Sequence, residues 1–258
     1  MAPLLHLLRE QPDLAGMVRG LDDTQNFPVA IDERRILPVP AGRLKAWLLP
    51  LLESLDDERP RLSRHHAATL AGLDALPTQW IGGEQLRLLG HRLRDFRGIE
   101  RRLPAPGFTA TLRPYQQDGL DWLQFLREYG LAGILADDMG LGKTVQTLAH
   151  LHLEKTSGRA DRPSLVVATT SLMANWRNEA AQFTPGLKVL TLHGKDRAEL
   201  FGEIPAADLV LTTYPLLVRD RETLLAQDWH LLVMDEAQFI KNPKAQSHQV
   251  ARLLRSRH

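Results

Sequence analysis

Cysteine is missing from all 258 residues, which excludes a disulfide framework, thiolate chemistry and any cysteine-based zinc site. A surplus of one charge is missing too. Lys+Arg 32 against Asp+Glu 31 leaves a formal net charge of +1, so no bulk field draws in nucleic acid or a membrane, and a site for either must be a local patch. Long apolar runs are absent: residues 46–52 are interrupted by Pro50 and fall far short of the ~18 residues of a membrane span. The first ten residues carry Leu4, Leu5, Leu7 and Leu8 without a basic leader or a small-residue cleavage site, and read as a short amphipathic helix. What is present, 43% hydrophobic and 24% charged residues, describes a globular chain long enough for one large or two ordinary domains. The expectation is a membrane-free chain of a reducing cytoplasm.

The two halves read differently. Up to residue 103 the pattern is mostly helical, with helices expected at 41–55, 63–76 and 84–97, the last from Leu86, Leu89, Leu93 and Phe96 at helical spacing. Residues 36–39, with Pro38 among them and Pro40 following, fit at best an edge strand. A Pro/Gly-rich stretch, Leu103-Pro104-Ala105-Pro106-Gly107, interrupts regular structure and suggests a linker over 104–110 between an accessory domain, 1–103, and a second domain, 111–258.

Beyond the linker, a helix over 114–129 is expected to bury Trp122, Leu123, Leu126 and Tyr129. Apolar runs at 131–136, 164–169, 188–193, 208–214 and 230–235 then alternate with helical patterns at 143–154, 171–182, 196–204 and 216–227, and Asn242-Pro243 reads as a further helix start. Short buried strands alternating with helices predict an α/β fold, a parallel sheet with helices on both faces.

One segment has the composition of a phosphate cradle: Asp137-Asp138-Met139-Gly140-Leu141-Gly142-Lys143-Thr144, between an expected strand and an expected helix. Its glycines let backbone N–H groups turn toward an anion, and the helix start adds partial positive charge. Lys143 is placed to reach the outer phosphates of a nucleotide, and the Thr144 hydroxyl to ligate Mg²⁺. Asp137 stands where the generic motif has glycine. A second segment, Leu231-Leu232-Val233-Met234-Asp235-Glu236-Ala237-Gln238, delivers two acids at a strand's end, the edge where open α/β sheets bind ligands. Asp235 suits a metal, and Glu236 suits orientation and deprotonation of an attacking water. Alone, such a pair is more often a solvated turn or a helix cap than a catalytic site; 92 positions after Lys143, it completes a nucleotide site.

With these motifs the chain resembles the Swi/Snf-type ATPases of helicase superfamily two. The resemblance runs through Leu112-Arg113-Pro114-Tyr115-Gln116-Gln117-Asp118-Gly119-Leu120-Asp121-Trp122-Leu123, the acidic loop from Asp137 to Thr144, and Ser171-Leu172-Met173-Ala174-Asn175-Trp176-Arg177-Asn178-Glu179. It continues through His193-Gly194, Leu211-Thr212-Thr213-Tyr214 and Asp235-Glu236-Ala237-Gln238 with Ile240-Lys241-Asn242-Pro243. It implies a RecA-like first lobe with ATP and Mg²⁺ as cofactors. Gln116 would recognise adenine, Met139, Gly140, Leu141, Gly142, Lys143, Thr144 and Val145 would line the nucleotide, and Thr144 and Asp235 would hold the metal. Ser171, Asn175, Thr212 and Thr213 would touch the phosphates of double-stranded DNA. Trp176 reads as a core aromatic at helical spacing, and Thr169 replaces the family's usual proline.

The resemblance also implies parts not seen here: a Thr-Gly-Thr-Pro-like segment after His258 and a second RecA-like lobe with arginine fingers. The expectation is an incomplete first lobe of a bacterial, nucleoid-associated motor, able to bind ATP·Mg²⁺ but turning over little, with a protein partner for the N-terminal domain. A non-catalytic nucleotide- or DNA-binding module and an RNA helicase of the Asp-Glu-Ala box type are the alternatives. The histidines suggest no metal site, the arginine-rich stretch 87–102 reads as a solvated face, and the basic tail from Lys241 reads as a helix end awaiting cover.

Overall fold

Apolar runs of the second half pair side by side in parallel. A computed structural model describes residue 16, residues 19–32, 35–42, 45, 49 and 84–258, in two compact units, Met1–Arg97 and Gly98–His258. In the first unit, β1 (Asn26–Asp32) and β2 (Arg35–Pro40) form an antiparallel ribbon. Pro28 faces Pro38 across it; both strands are edges, where a missing N–H breaks no ladder. Helix α1 spans Glu84–Arg94. Residues 41, 42, 45 and 49 are helical, whereas the helices expected at 1–10 and 63–76 lie outside the described residues.

The second unit is built on a four-stranded parallel sheet ordered β4-β5-β3-β7: β3 (Ser164–Ala168), β4 (Val189–Thr191), β5 (Leu209–Thr213) and β7 (Leu232–Met234). A two-residue pair, β6 (Asp228–Trp229) with β8 (Arg255–Ser256), stands beside it. Alternate residues of each strand serve opposite cores. Val166, Ala168, Leu209 and Leu211 pack with Leu148 and Leu151 of α3 (Lys143–Thr156) and with Met173, Trp176 and Ala180 of α4 (Met173–Phe183). Leu165, Val167 and Val210 pack instead with Tyr214 and Leu217 of α5 (Tyr214–Arg219), Leu224 of α6 (Arg221–Leu225) and Val250 of α7 (Gln246–Leu253). Two covered faces explain why the strands read as continuous apolar runs rather than alternating ones.

Helix α2 (Pro114–Tyr129) has the expected length but a different buried face. Gln117, Leu120, Asp121 and Gln124 are buried, while Trp122, Leu123, Leu126 and Tyr129 are only half-covered. The polar groups can go inside because each finds a partner. Asp121 accepts from the Arg102 backbone N–H (2.7 Å) and Gln117, and Gln124 donates to His150 of α3 (2.8 Å) and to Glu154 (3.1 Å). Glu154 is fully buried and also takes Arg159 (2.7 Å) and His230 Nε2 (3.1 Å). The stretch 104–110, expected as a linker, lies within the second unit, where Ala105 is buried and the Pro106 carbonyl meets His152 Nε2 at 3.1 Å.

Several expectations are corrected. Residues 131–136 form no strand: no backbone is bonded alongside among the described residues, and Ile134 is 82% exposed. The pattern at 196–204 folds as 3₁₀ turns over Asp196–Ala206, which Gly202 and Pro205 keep from α geometry. The helix expected at 216–227 splits at Asp220, whose carboxylate is taken by both Nε and Nη2 of Arg197 at 2.7 Å. Asn242-Pro243 makes a turn, its side chain accepting from the Lys244 N–H (3.0 Å), and α7 begins three residues later. The basic tail is held rather than bare, through the β8 pairing and through Arg255–Asp228 (2.9 Å) and Arg257–Asp161 (3.3 Å) ion pairs.

Candidate functional site

Gly140 (φ 83°) and Gly142 (φ 80°) sit in the left-handed region, which side chains rarely adopt, and so turn the loop back on itself ahead of α3. A Cβ at Gly142 would also stand 2.6 Å from Gln116 Nε2. Gln116 is the link between α2 and the loop: its Oε1 accepts the Arg113 N–H (2.9 Å), and its Nε2 donates to the Leu141 carbonyl (3.0 Å). Lys143 Nζ lies inside the turn, donating to the carbonyls of Asp137 (2.7 Å) and Asp138 (3.1 Å).

Asp137 earns its place where glycine is usual. Its Oδ2 accepts from Gln146 Nε2 at 2.9 Å, pinning the loop's start to α3. Gln146 is fully buried beneath Gly119 of α2, where any Cβ would fall 1.8 Å from its Oε1. Val145 is buried under the loop, and Met139, 90% exposed, forms its outer tip. The residues fit a phosphate and a cation. No side chain caps the α3 N-terminus, which leaves its first N–H groups available to an anion. The half-buried Thr144 hydroxyl makes no hydrogen bond among the described residues.

The acid pair follows β7. Asp235 continues the strand, its N–H on the Val167 carbonyl (2.9 Å). Its Oδ2 accepts from Trp176 Nε1 (2.7 Å) and its carbonyl from the Tyr214 hydroxyl (2.6 Å). Glu236 is the one non-glycine among the described residues with positive φ (54°, ψ 52°), and Gln238 donates to its Oε2. Tyr214 stacks on Phe239, centroids 5.7 Å apart and planes at 19°. Burial first, then the charges of Asp235 and Glu236, push the Tyr214 phenol well above its ordinary value, so it stays a donor.

Loop and acid pair share one edge of the sheet. The far end of α3 is fixed at the strands' amino edge: Lys155 pairs with Asp208, just before β5, at 2.5 Å, and Glu154 meets His230, just before β7. The helix thus runs antiparallel to the strands, and its N-terminus opens at the carboxyl edge, where β7 delivers Asp235.

The expected DNA-facing residues divide. Ser171 and Asn175 are exposed at the start of α4; Ser171 Oγ lies 3.1 Å from Thr169 Oγ1, and Asn175 Nδ2 donates to Glu179 (2.7 Å). Thr212 and Thr213 are buried, at 0% and 1% exposure. The expectation of surface hydroxyls there is corrected, because β5 is an inner strand covered on both faces. Trp176 is a core residue as expected, but it also serves as a donor to Asp235. That contact, the Tyr214 contact and the Gln146–Asp137 anchor escaped sequence reasoning. The one available signal was general: a buried indole or phenol seeks a partner for its polar tip.

The SNF2-related domain family matches residues 115–258. A putative ATP-dependent helicase/translocase of Bacillus subtilis (strain 168), YwqA, is 40% identical over 178 residues, covering 68% of this chain and 19% of its own length. The TATA-binding protein-associated factor mot1 of Schizosaccharomyces pombe is 39% identical over 169 residues, 60% of this chain and 9% of its own. Among solved structures, the Sulfolobus solfataricus SWI2/SNF2 ATPase core in complex with dsDNA superposes with a TM-score of 0.58 at 38% identity. It covers 61% of this chain and 32% of that one. The core domain from the same organism gives 0.56 at 37% identity, covering 62% and 32%. The chain therefore spans a fifth or less of these two curated relatives and about a third of the solved ones.

Proposed function

The chain belongs to the SNF2-related domain family, and from that premise we propose that it is the nucleotide-binding lobe of a double-stranded-DNA-dependent ATPase or translocase. The observation that carries this reading is the shared edge: an uncapped helix start behind a glycine-turned loop, at the same edge of the sheet as the strand that Asp235 and Glu236 follow. ATP with Mg²⁺ supplies a phosphoryl group whose transfer spreads negative charge over its oxygens.

The protein's part is to place groups around that charge. The α3 N–H groups and Lys143, released from the Asp137 and Asp138 carbonyls, bind the phosphates. Thr144 and Asp235 hold the cation, while Glu236 orients the attacking water and accepts its proton. Gln116, tied to the loop through Leu141, reads adenine, and Met139 and Val145 border the nucleotide. Ser171, just before α4, and Asn175, in its first turn, are both exposed and suit a phosphate backbone without reading sequence. In-line transfer also draws on cations from across the nucleotide, so turnover by this lobe alone is expected to be slow and to rise when a second lobe supplies them. The duplex-bound state of the Sulfolobus relative supports DNA over RNA as the polymer.

The test is direct. Mg²⁺·ATP at 100 times its Kd should stabilise the chain by about 2.7 kcal/mol, read as a rise in melting temperature, and Lys143→Ala should abolish the rise. A wild-type chain whose melting ignores Mg²⁺·ATP would sink the nucleotide site. Tighter binding of single-stranded RNA than of duplex DNA at equal salt would overturn the polymer assignment.

A further inference from the structure

Two aromatic side chains from different elements place their polar tips on one acid. Trp176 is 2% exposed and Tyr214 6%, and phenylalanine at 214 would bury nearly the same apolar area without a polar tip. The indole nevertheless donates to Asp235 Oδ2 at 2.7 Å, and the phenol to the Asp235 carbonyl at 2.6 Å. β7 alone positions Asp235 poorly: it is three residues long, half-buried and last in the strand order. A carboxylate there has two free side-chain torsions. The indole bond removes that freedom and occupies one oxygen, while Oδ1 takes no hydrogen bond among the described residues. The phenol bond and the Tyr214–Phe239 stack hold the peptide behind it, where Glu236 keeps its left-handed turn.

Trp176 also has an exposed neighbour. Asn175 precedes it, and Ser171 opens the same segment; both face solvent where the proposed duplex lies. A helix moves as a rigid body, so a displacement of its outer end is passed to the indole on its inner face, and a charge-assisted bond is sensitive to small changes in length.

We propose that Trp176 is a positioning residue linking the DNA-facing start of α4 to the metal-holding carboxylate of Asp235, with Tyr214 fixing the peptide behind it. Duplex engagement at α4 tightens Mg²⁺ binding at Asp235, and by linkage Mg²⁺·nucleotide tightens duplex binding by the same factor. This rests on the function proposed above.

Trp176→Phe keeps an aromatic six-membered ring in the core but loses the donor together with the pyrrole half of the indole. Calorimetry on the wild-type and variant chains would follow ATP binding without Mg²⁺, duplex binding alone, and the Mg²⁺ midpoint at fixed ATP with and without a short duplex. The variant should match wild type in the first two. Its Mg²⁺ midpoint should rise roughly tenfold, the scale of one hydrogen bond to a charged group, and the lowering of that midpoint by duplex should vanish. Independently, the ¹⁵N-labelled wild-type chain, which has five tryptophans, should show the Trp176 indole N–H resonance moving when Mg²⁺ joins ATP and again when duplex is added. An unchanged midpoint in Trp176→Phe, a motionless indole resonance, or weakened Mg²⁺-free ATP binding in the variant would each overturn the inference, the last by marking a packing role. If Trp176→Phe does not fold, the wild-type spectrum and the Tyr214→Phe midpoint, expected to rise, decide. Absence of ATP or duplex binding by the wild-type chain would instead sink the function itself.

Discussion

Glu236 carries a conformation its side chain disfavours. An L-residue in the left-handed region costs on the order of 1 kcal/mol, and the strain persists because Asp235 is fixed from two sides and Phe239 is stacked. Asparagine tolerates that region far better. Glu236→Asn should therefore raise stability to denaturant by about 0.5 kcal/mol while removing the proposed base, a trade that urea unfolding alongside an ATPase assay of the two-lobed protein would reveal. At this scale the loop was legible, because Gly140, Gly142, Lys143 and Thr144 announce an anion cradle by residue type and order. The donors to Asp235 were not, because 59 residues separate Trp176 from it, and periodicity reports only that an aromatic is inside.

Among elements, α2 and α3 show where pattern reading fails and why. Hydrophobic periodicity favours Trp122 and Leu126 as the inner face of α2, yet Gln117, Asp121 and Gln124 are the buried ones. Polar groups go inside when each meets a partner, and the partners here come from α3 and from the Arg102 backbone. The centre of that contact is Glu154, fully buried with Gln124, Arg159 and His230 on its oxygens. Glu154→Ala leaves these donors without their acceptor and should cost about 3 kcal/mol, measurable as a lowered denaturation midpoint at neutral pH. The run 131–136 teaches the converse. Its composition is that of a strand, but a strand exists only where another backbone is bonded beside it, and none of the described residues supplies one.

For the molecule as a whole, the same cluster sets an acid limit. Burial, against the opposing pull of Glu154, lowers the His150 imidazole from 6.5 to about 4. Burial would raise the Glu154 carboxyl, but hydrogen bonds from His230 and Arg159 overcome it and hold the group well below its ordinary range. Both folded values are depressed, so the unfolded chain binds more protons as pH falls. Stability from these groups is complete above pH 6.5, declines toward pH 4 as unfolded His150 takes its proton, and declines further once unfolded Glu154 is protonated. His150 alone accounts for up to ~3 kcal/mol by pH 4. Melting temperature followed from pH 8 to 4 should be flat and then fall, and His150→Gln should soften the fall between 6.5 and 4.

The amino-acid order by itself determined the fold class, the four strands of the parallel sheet and the three long helices of the second unit, and the loop and acid pair, because each is written in local composition and spacing. Only tertiary structure decided which face of α2 is buried, that residues 131–136 stand unpaired, that Thr212 and Thr213 are covered, and that an indole grips Asp235. These depend on what other segments bring alongside, and burial, pairing and hydrogen bonding are properties of neighbours in space that no single stretch of chain encodes.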